Sequence, residues 1–366
     1  MTVYKKSLLV FSTLLIAGLA VTAPLRALSA ETSVQVNSEN NANLDSLLRK
    51  GRELVDGGDY GKAIAIYEQA ARLDAENPRI FSGIGYLEAR QGNYKAAADF
   101  YQQAIAIDPK NPDFQYALGY AMANLENYPA AATAYRRAAQ LDRKNVNARI
   151  GLGVVLFQQK DYSGAFKAYQ EAIAIDSKNW QAYSSMGLVL IQQGNFTSAV
   201  DVLQQAAKLA PKQASVQLKL GTSLLRSGNT AKGLAAFEEA AKLEPKNADV
   251  QLEIGEILKS QNDLDRALLA YQRATTVRPN LVQAHAAIGE IQLEKQDSLG
   301  AITTFRRVIQ LDPNRAEAYY NLGIALKRRD RTSEAIQAFQ QALDTYRRQG
   351  NNDGAQKAEA VLKQLK

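Results

Sequence analysis

Nine glycines stand 34 residues apart along this chain: Gly51, Gly85, Gly119, Gly153, Gly187, Gly221, Gly255, Gly289 and Gly323. An unbroken period of that length restricts the fold to a stack of like units. One unit cannot bury its own apolar face, so its neighbours must cover it. Further positions keep the register. Alanine falls twelve residues after each glycine, at Ala63, Ala97, Ala131, Ala165, Ala199, Ala267, Ala301 and Ala335, with Gly233 in the sixth unit. Four residues on comes a large apolar side chain: Tyr67, Tyr101, Tyr135, Tyr169, Leu203, Phe237, Tyr271, Phe305 and Phe339. A small residue follows three later, from Ala70 to Ala342, with Val308 in the eighth unit. Spacings of three and four share a helix face, and small residues let two helix backbones close around a ring. The pattern predicts two helices per unit, A carrying the glycine and B carrying the ring.

The turns repeat as well. Gly58-Asp59-Tyr60, Gly92-Asn93-Tyr94 and Gly194-Asn195-Phe196 place glycine where helix A needs a left-handed terminator. Pro109, Pro211, Pro245, Pro279 and Pro313 stop helix B, because proline disfavours helix in the residue before it. Ala75, Arg143, Ser177 and Arg347 take the proline position in the first, third, fourth and ninth units, so those junctions are expected to be less sharply stopped.

This combination resembles the tetratricopeptide repeat family, and Ala316-Glu-Ala-Tyr-Tyr-Asn-Leu-Gly323 is close to its consensus. The resemblance implies an all-α protein, a right-handed α-solenoid of nine helix-turn-helix repeats completing slightly more than one superhelical turn. The repeats run 44–77, 78–111, 112–145, 146–179, 180–213, 214–247, 248–281, 282–315 and 316–349. Residues 350–366 read as a capping helix, with Ala358, Val361, Leu362 and Leu365 on one apolar stripe that covers the last repeat.

Residues 1–30 carry the pattern of an export signal: Lys5-Lys6, an apolar run from Leu8 to Val21, and Leu28-Ser29-Ala30 as a cleavage site. The alternative is an uncleaved amino-terminal anchor, the one route to membrane contact. Residues 31–43 are polar and aperiodic, a flexible leader. Export implies the periplasm, or a thylakoid lumen where the host has one. The net charge is +7, and removing Lys5, Lys6 and Arg26 leaves +4, too mild to point to nucleic acid. With no cysteine the chain has no disulfide or thiol chemistry.

Catalytic signatures are missing from the sequence. His285 is the sole histidine, at a helix A position filled by Tyr183 and Tyr319 elsewhere, and it reads as a packing residue. The sequence carries no phosphate loop, nucleophile elbow or dinucleotide fingerprint. Neither an enzyme nor a cofactor or metal site is expected. Trp180, opening the fifth unit, reads as packing against the unit before it.

With each glycine as position 8, positions 4, 7, 8 and 11 face helix B, and positions 2, 5, 9, 12 and 13 lie nearly opposite. In the resembled family this second face lines the concave groove. In units two to five it carries Tyr86, Tyr116, Tyr120, Ile150, Val154, Phe157, Leu188 and Ile191, together with Ser82 and Ser184. These are the expected partner-binding residues, since an apolar patch with polar rims marks a docking surface. The alternative is that a tight superhelix covers part of this wall itself. Farther on the wall becomes charged, first acidic at Glu253, Glu256, Glu290 and Glu294, then basic at Lys327, Arg328, Arg329 and Arg331. The family's carboxylate clamp for chaperone tails is absent: Asn321 fits one of its positions, but no lysine stands at position 5 and no asparagine at position 9.

The expected function is a non-catalytic scaffold that holds an extended peptide or helix of a partner protein. Its setting would be the assembly of an envelope, secretion, polysaccharide-export or photosynthetic complex. A self-associating structural protein (a homo-oligomer) is the alternative, and an enzyme or solute-binding protein is the third reading.

Overall fold

The computed structural model describes residues 38–365, so the export signal and the leader up to residue 37 lie outside the described residues. Among the described residues there are nineteen α-helices and no strand. They gather into two compact units that meet in sequence at Leu209 and Ala210. The first holds five hairpins: Ser38–Asp56 with Tyr60–Leu73, Pro78–Arg90 with Tyr94–Ile107, Pro112–Asn124 with Tyr128–Leu141, Val146–Gln158 with Tyr162–Ile175, and Trp180–Gln192 with Phe196–Leu209. The second holds four: Ala214–Arg226 with Thr230–Leu243, Ala248–Ser260 with Leu264–Val277, Val282–Glu294 with Ser298–Leu311, and Ala316–Lys327 with Thr332–Arg348. Asn352–Leu365 closes the second unit. Within each unit every helix packs on the helix before it and the helix after it, the arrangement of an α-solenoid. The first helix begins at Ser38, so residues 38–43, expected as leader, belong to helix A of the first repeat.

Each hairpin is closed by one interlock. A Cβ placed on Gly153 would lie 2.6 Å from the Tyr169 ring, and one on Gly255 would lie 2.6 Å from Tyr271. Every other glycine of the series meets the large side chain of its own helix B in the same way, down to Gly323 against Phe339. The eight alanines of helix B that face helix A, Ala63 to Ala335, are fully buried. The sixth repeat departs from the series because Leu225 leans into this space. A Cβ on Gly233 would stand 2.9 Å from its side chain, so alanine does not fit there.

Helix ends are fixed by short polar side chains. Asn145 and Asn179 accept from Ala148 and Ala182 N–H at 2.8 and 2.9 Å, starting helix A. Asp161 and Asp297 accept from Gly164 and Gly300 N–H at 2.8 and 2.9 Å, starting helix B. Such caps contribute about 1 kcal/mol each. The junctions without proline are as sharp as the others, contrary to the expectation for the first, third and fourth repeats. Their B helices end at Leu73, Leu141 and Ile175, the position at which Ile107 ends the second. The aspartates that follow do the work: Asp142 and Asp176 accept from Lys144 and Lys178 N–H at 2.9 and 3.0 Å, a local turn that competes with helix. Only in the ninth repeat does helix B run on, to Arg348. Beyond it, Tyr346 covers Gly354, and Ala358 and Leu362 are buried with Val361 and Leu365 packed beside them.

The turn between helices A and B is left-handed whatever residue fills it. Gly58, Gly92, Gly194 and Gly228 have φ of 77–85°, and Glu126, Lys160, Asn262, Gln296 and Asp330 hold φ of 58–63° at the same place. A side chain there costs roughly 1–2 kcal/mol. Lys160→Gly and Glu126→Gly are therefore expected to raise stability by about 1 kcal/mol each in urea unfolding. Gly153→Ala, which drives a methyl into the Tyr169 ring, is expected to cost about 1–3 kcal/mol.

Candidate functional site

The candidate site lies in the first unit, where helix A of the second to fourth repeats meets the first residues of helix B. Tyr86, Tyr116, Tyr120 and Phe157 are half-buried there. Helix B opens on an aromatic in all five repeats of this unit, at Tyr60, Tyr94, Tyr128, Tyr162 and Phe196. Those openings build up the site. Tyr94 meets Tyr120 edge-on with ring centres 6.2 Å apart, and Tyr162 lies 5.5 Å from Phe157. The Arg90 guanidinium stands 5.7 Å from the Tyr60 ring centre and donates to its hydroxyl at 3.1 Å. Beneath this layer Tyr116 packs 5.6 Å from Tyr135, the ring that interlocks with Gly119.

Burial pushes Tyr116 up to about 12, with Tyr120 beside it adding to the effect. Burial, and then Tyr94, raises Tyr120 above the ordinary tyrosine value. Tyr101 is raised by burial with Tyr86 and Tyr120 nearby. The Tyr101 and Tyr116 hydroxyls are buried without a hydrogen-bond partner. Asn124 Nδ2 donates to the Tyr120 carbonyl at 2.9 Å, which anchors its amide at the rim. The wall thus offers aromatic faces and the Arg90 guanidinium, a set suited to holding another chain.

Four of the eight expected groove residues belong to the core instead. Ile150, Val154, Leu188 and Ile191 are only 4–6% exposed, and Ser184 is buried too. Ile150 and Val154 join one cluster with Tyr135, Val155, Tyr169 and Met186. The A helices of the third, fourth and fifth repeats touch one another, so position 5 and 9 side chains in the fourth repeat have no open face left. The site contracts to Tyr86, Tyr116, Tyr120 and Phe157, and gains Tyr60, Arg90, Tyr94 and Tyr162. The helix B openings Tyr60, Tyr94 and Tyr162 are not among the expected groove residues. Their recurrence at 34-residue steps was the signal that could have found them.

In the second unit part of the charged wall, Glu290, Arg328 and Arg331, is tied up internally. Lys259 bridges to Glu290 at 2.5 Å, and Arg278 holds Asp249 through two contacts of 2.8 and 2.9 Å. Arg328 donates to the Leu293 carbonyl at 2.5 Å, and Arg331 grips Glu334 twice at 2.7 Å. Glu294, Lys327 and Arg329 are exposed. Glu253 is pushed up to about 7 by burial, with Glu256 and Asp249 adding to it. His285 Nε2 lies 3.0 Å from the Pro279 carbonyl oxygen, which fixes the ring to the turn before its helix. Trp180 is half-buried. Among the described residues no three His, Asp or Glu side chains gather where they could hold a metal ion, and no helix is long and apolar enough to cross a membrane.

Family models described as tetratricopeptide repeat match residues 48–112, 116–180 and 218–281, and further models of that description match 156–221 and 316–348. A model described as TPR repeat matches 299–330. Among solved structures, a tetratricopeptide repeat protein from Parabacteroides merdae is 18% identical, covering 69% of this chain and 99% of its own, with a TM-score of 0.51. The C-terminal part of a TPR repeat-containing protein from Cytophaga hutchinsonii is 17% identical over 65% of this chain and 98% of its own, with a TM-score of 0.58. Pseudomonas aeruginosa pilF is 22% identical over 60% of this chain and 98% of its own, with a TM-score of 0.50. At these identities the likeness is one of fold. No curated protein matches the chain by sequence.

Two outcomes follow. Val154→Glu is expected to destabilise the first unit by roughly 3 kcal/mol or more, because it buries a charge in a closed cluster; thermal melting measures it. Glu253 is raised in the folded chain above its ordinary 4.5, so folding takes up its proton. That stabilisation is fully present below about pH 4.5 and is lost as pH rises through about 7. Glu253→Gln is expected to abolish this decline, worth at most about 3 kcal/mol, in urea titrations from about pH 4 to 8.

Proposed function

The chain belongs to the tetratricopeptide repeat family, whose fold serves protein–protein interaction, and from that premise we propose that it is a non-catalytic scaffold gripping an extended or helical segment of a partner protein. One observation carries the reading: Tyr86, Tyr116, Tyr120 and Phe157 remain half-buried while the neighbouring Ile150 and Val154 are closed into the core. Packing has a use for the second pair and leaves part of the first in solvent. Tyrosine gives large contact area and a hydroxyl at low entropic cost, which is what a recognition surface needs. The Arg90 guanidinium, steadied on Tyr60, adds a directional donor beside the rings.

The proposed setting is the cell envelope, in the assembly of a multi-protein complex. Support for it is the export pattern of residues 1–30. Amino-terminal sequencing of the protein recovered from the periplasmic fraction is expected to begin at Glu31; recovery of uncleaved chain from the cytosol would overturn the location.

A photo-crosslinking residue at position 120, tested in the native cell, addresses the binding site. The expected result is a discrete adduct with another protein from position 120 and none from exposed Gln170 on helix B. Adducts between copies of this chain alone would turn the reading into self-association, and equal labelling from both positions would defeat it.

A further inference from the structure

A groove in the first unit stands apart from the tyrosine wall. It lies over helix A of the third repeat, Pro112–Asn124, and is flanked by helix B of the second and of the third repeat. Its volume is about 570 Å³, within the roughly 300–1,000 Å³ of ligand clefts. Leu118, Met122, Ala130 and Ala134 form the apolar part of its lining. Leu118 and Met122 pack on the core below yet remain only half-buried. Arg136 and Arg137 are exposed at its edge, and no carboxylate is among the lining residues. Neither arginine forms an ion pair among the described residues.

Two other repeats show what this arrangement lacks. In the fourth, Arg149 takes the place of Gln115 and Glu171 that of Arg137. Those two pair at 3.5 Å, and the Arg149 side chain is only 12% exposed. The eighth repeat keeps both arginines, as Arg306 and Arg307. There Arg306 meets Glu334 of the next helix B at 3.1 Å. The residue that stands to Arg136 as Glu334 stands to Arg306 is Gly164. Elsewhere the chain supplies the anion at this place. In the third repeat it supplies the cations and leaves the anion out.

We propose that this groove takes an acidic segment of a partner protein, whose apolar side chains lie on Leu118 and Met122 and whose carboxylates meet Arg136 and Arg137 as Glu334 meets Arg306. Charge complementarity selects the occupant: two guanidiniums with no acid among the lining residues attract an anionic segment and reject a basic one. The apolar lining disfavours a ligand that is charge alone. Gln102, Gln115 and Gln140 line the same groove. Each of their amides both donates and accepts, which matches the N–H and C=O groups of a peptide backbone and not the tail of a lipid. Tyr116 and Tyr120 are not among the lining residues, so an adduct from position 120 neither needs this site nor tests it.

The test uses the full chain and a fluorescein-labelled decapeptide of glutamate and serine with two central leucines, followed by anisotropy at low salt. Arg137→Gln is expected to weaken binding about tenfold, the loss of one charge-assisted contact. Thr133→Glu places a carboxylate of the chain itself one helical turn from both arginines and is expected to weaken the peptide as Arg137→Gln does. Exchanging the two leucines for serine is expected to weaken it by about tenfold or more. Lys167→Gln, which removes an exposed cation from helix B of the next repeat, is expected to change binding less than about twofold. All three positions are exposed, and melting curves establish that each variant is folded. Equal losses from Arg137→Gln and Lys167→Gln would mean diffuse attraction and overturn the site. So would failure of the decapeptide to bind, or a serine-substituted peptide that binds as well as the original. Displacement by dodecanoate at lower concentration would make the occupant a lipid chain, and self-association that Arg137→Gln abolishes would make it a second copy; either overturns the proposal.

Discussion

A ring standing where a Cβ would otherwise be is the contact on which this molecule depends. At Gly51, Gly85, Gly119, Gly153 and Gly255 a tyrosine of helix B lies so close to helix A that no side chain fits between them, and at Gly221, Gly289 and Gly323 a phenylalanine does the same. The consequence is geometric. With the A–B distance fixed by an aromatic thickness, positions 5, 9 and 12 of helix A are carried to a defined place on the other face. The tyrosine wall is a product of that interlock, since Tyr116 rests on the Tyr135 ring that Gly119 admits. Scaffold and candidate site meet in that contact.

The period made the hairpins, their order and the closing helix legible, because each depends on contacts within one or two repeats. Ile150 and Val154 were not legible as core. Helical periodicity tells which face a residue occupies and says nothing about how near the next A helix comes; in the third to fifth repeats it comes into contact. The sharp ends of the proline-free helices escaped for a related reason. Asp142 and Asp176 stop them by accepting a backbone N–H two residues on, a competence that their identity allows and only their geometry reveals. Arg90 stood at a groove position throughout, but its engagement with Tyr60 required the preceding repeat to be in place.

The two units answer different chemistry with one architecture. In the first, the face beyond the glycines carries tyrosines, of which Tyr116 and Tyr120 are pushed above the ordinary phenol range by burial. In the second it carries carboxylates, one of them held near 7. Helix A tolerates both because the interlock consumes only the opposite face. Outside the fourth and fifth repeats, where Ile150, Val154, Leu188 and Ile191 are core, the identity of that face is free to drift while Gly and Ala stay fixed, the physical basis for one fold serving many partners.

The closing helix has a bearing on how such a chain grows. Tyr346 of the last hairpin covers Gly354 of the terminal helix, the internal contact with its order in the chain reversed. The cap asks of the preceding hairpin only a ring at the right height. A duplicated block of 34 residues inserted ahead of the last hairpin would meet familiar surfaces above and below and would leave that final contact untouched. Duplication of a repeat could therefore lengthen such a stack without inventing an interface.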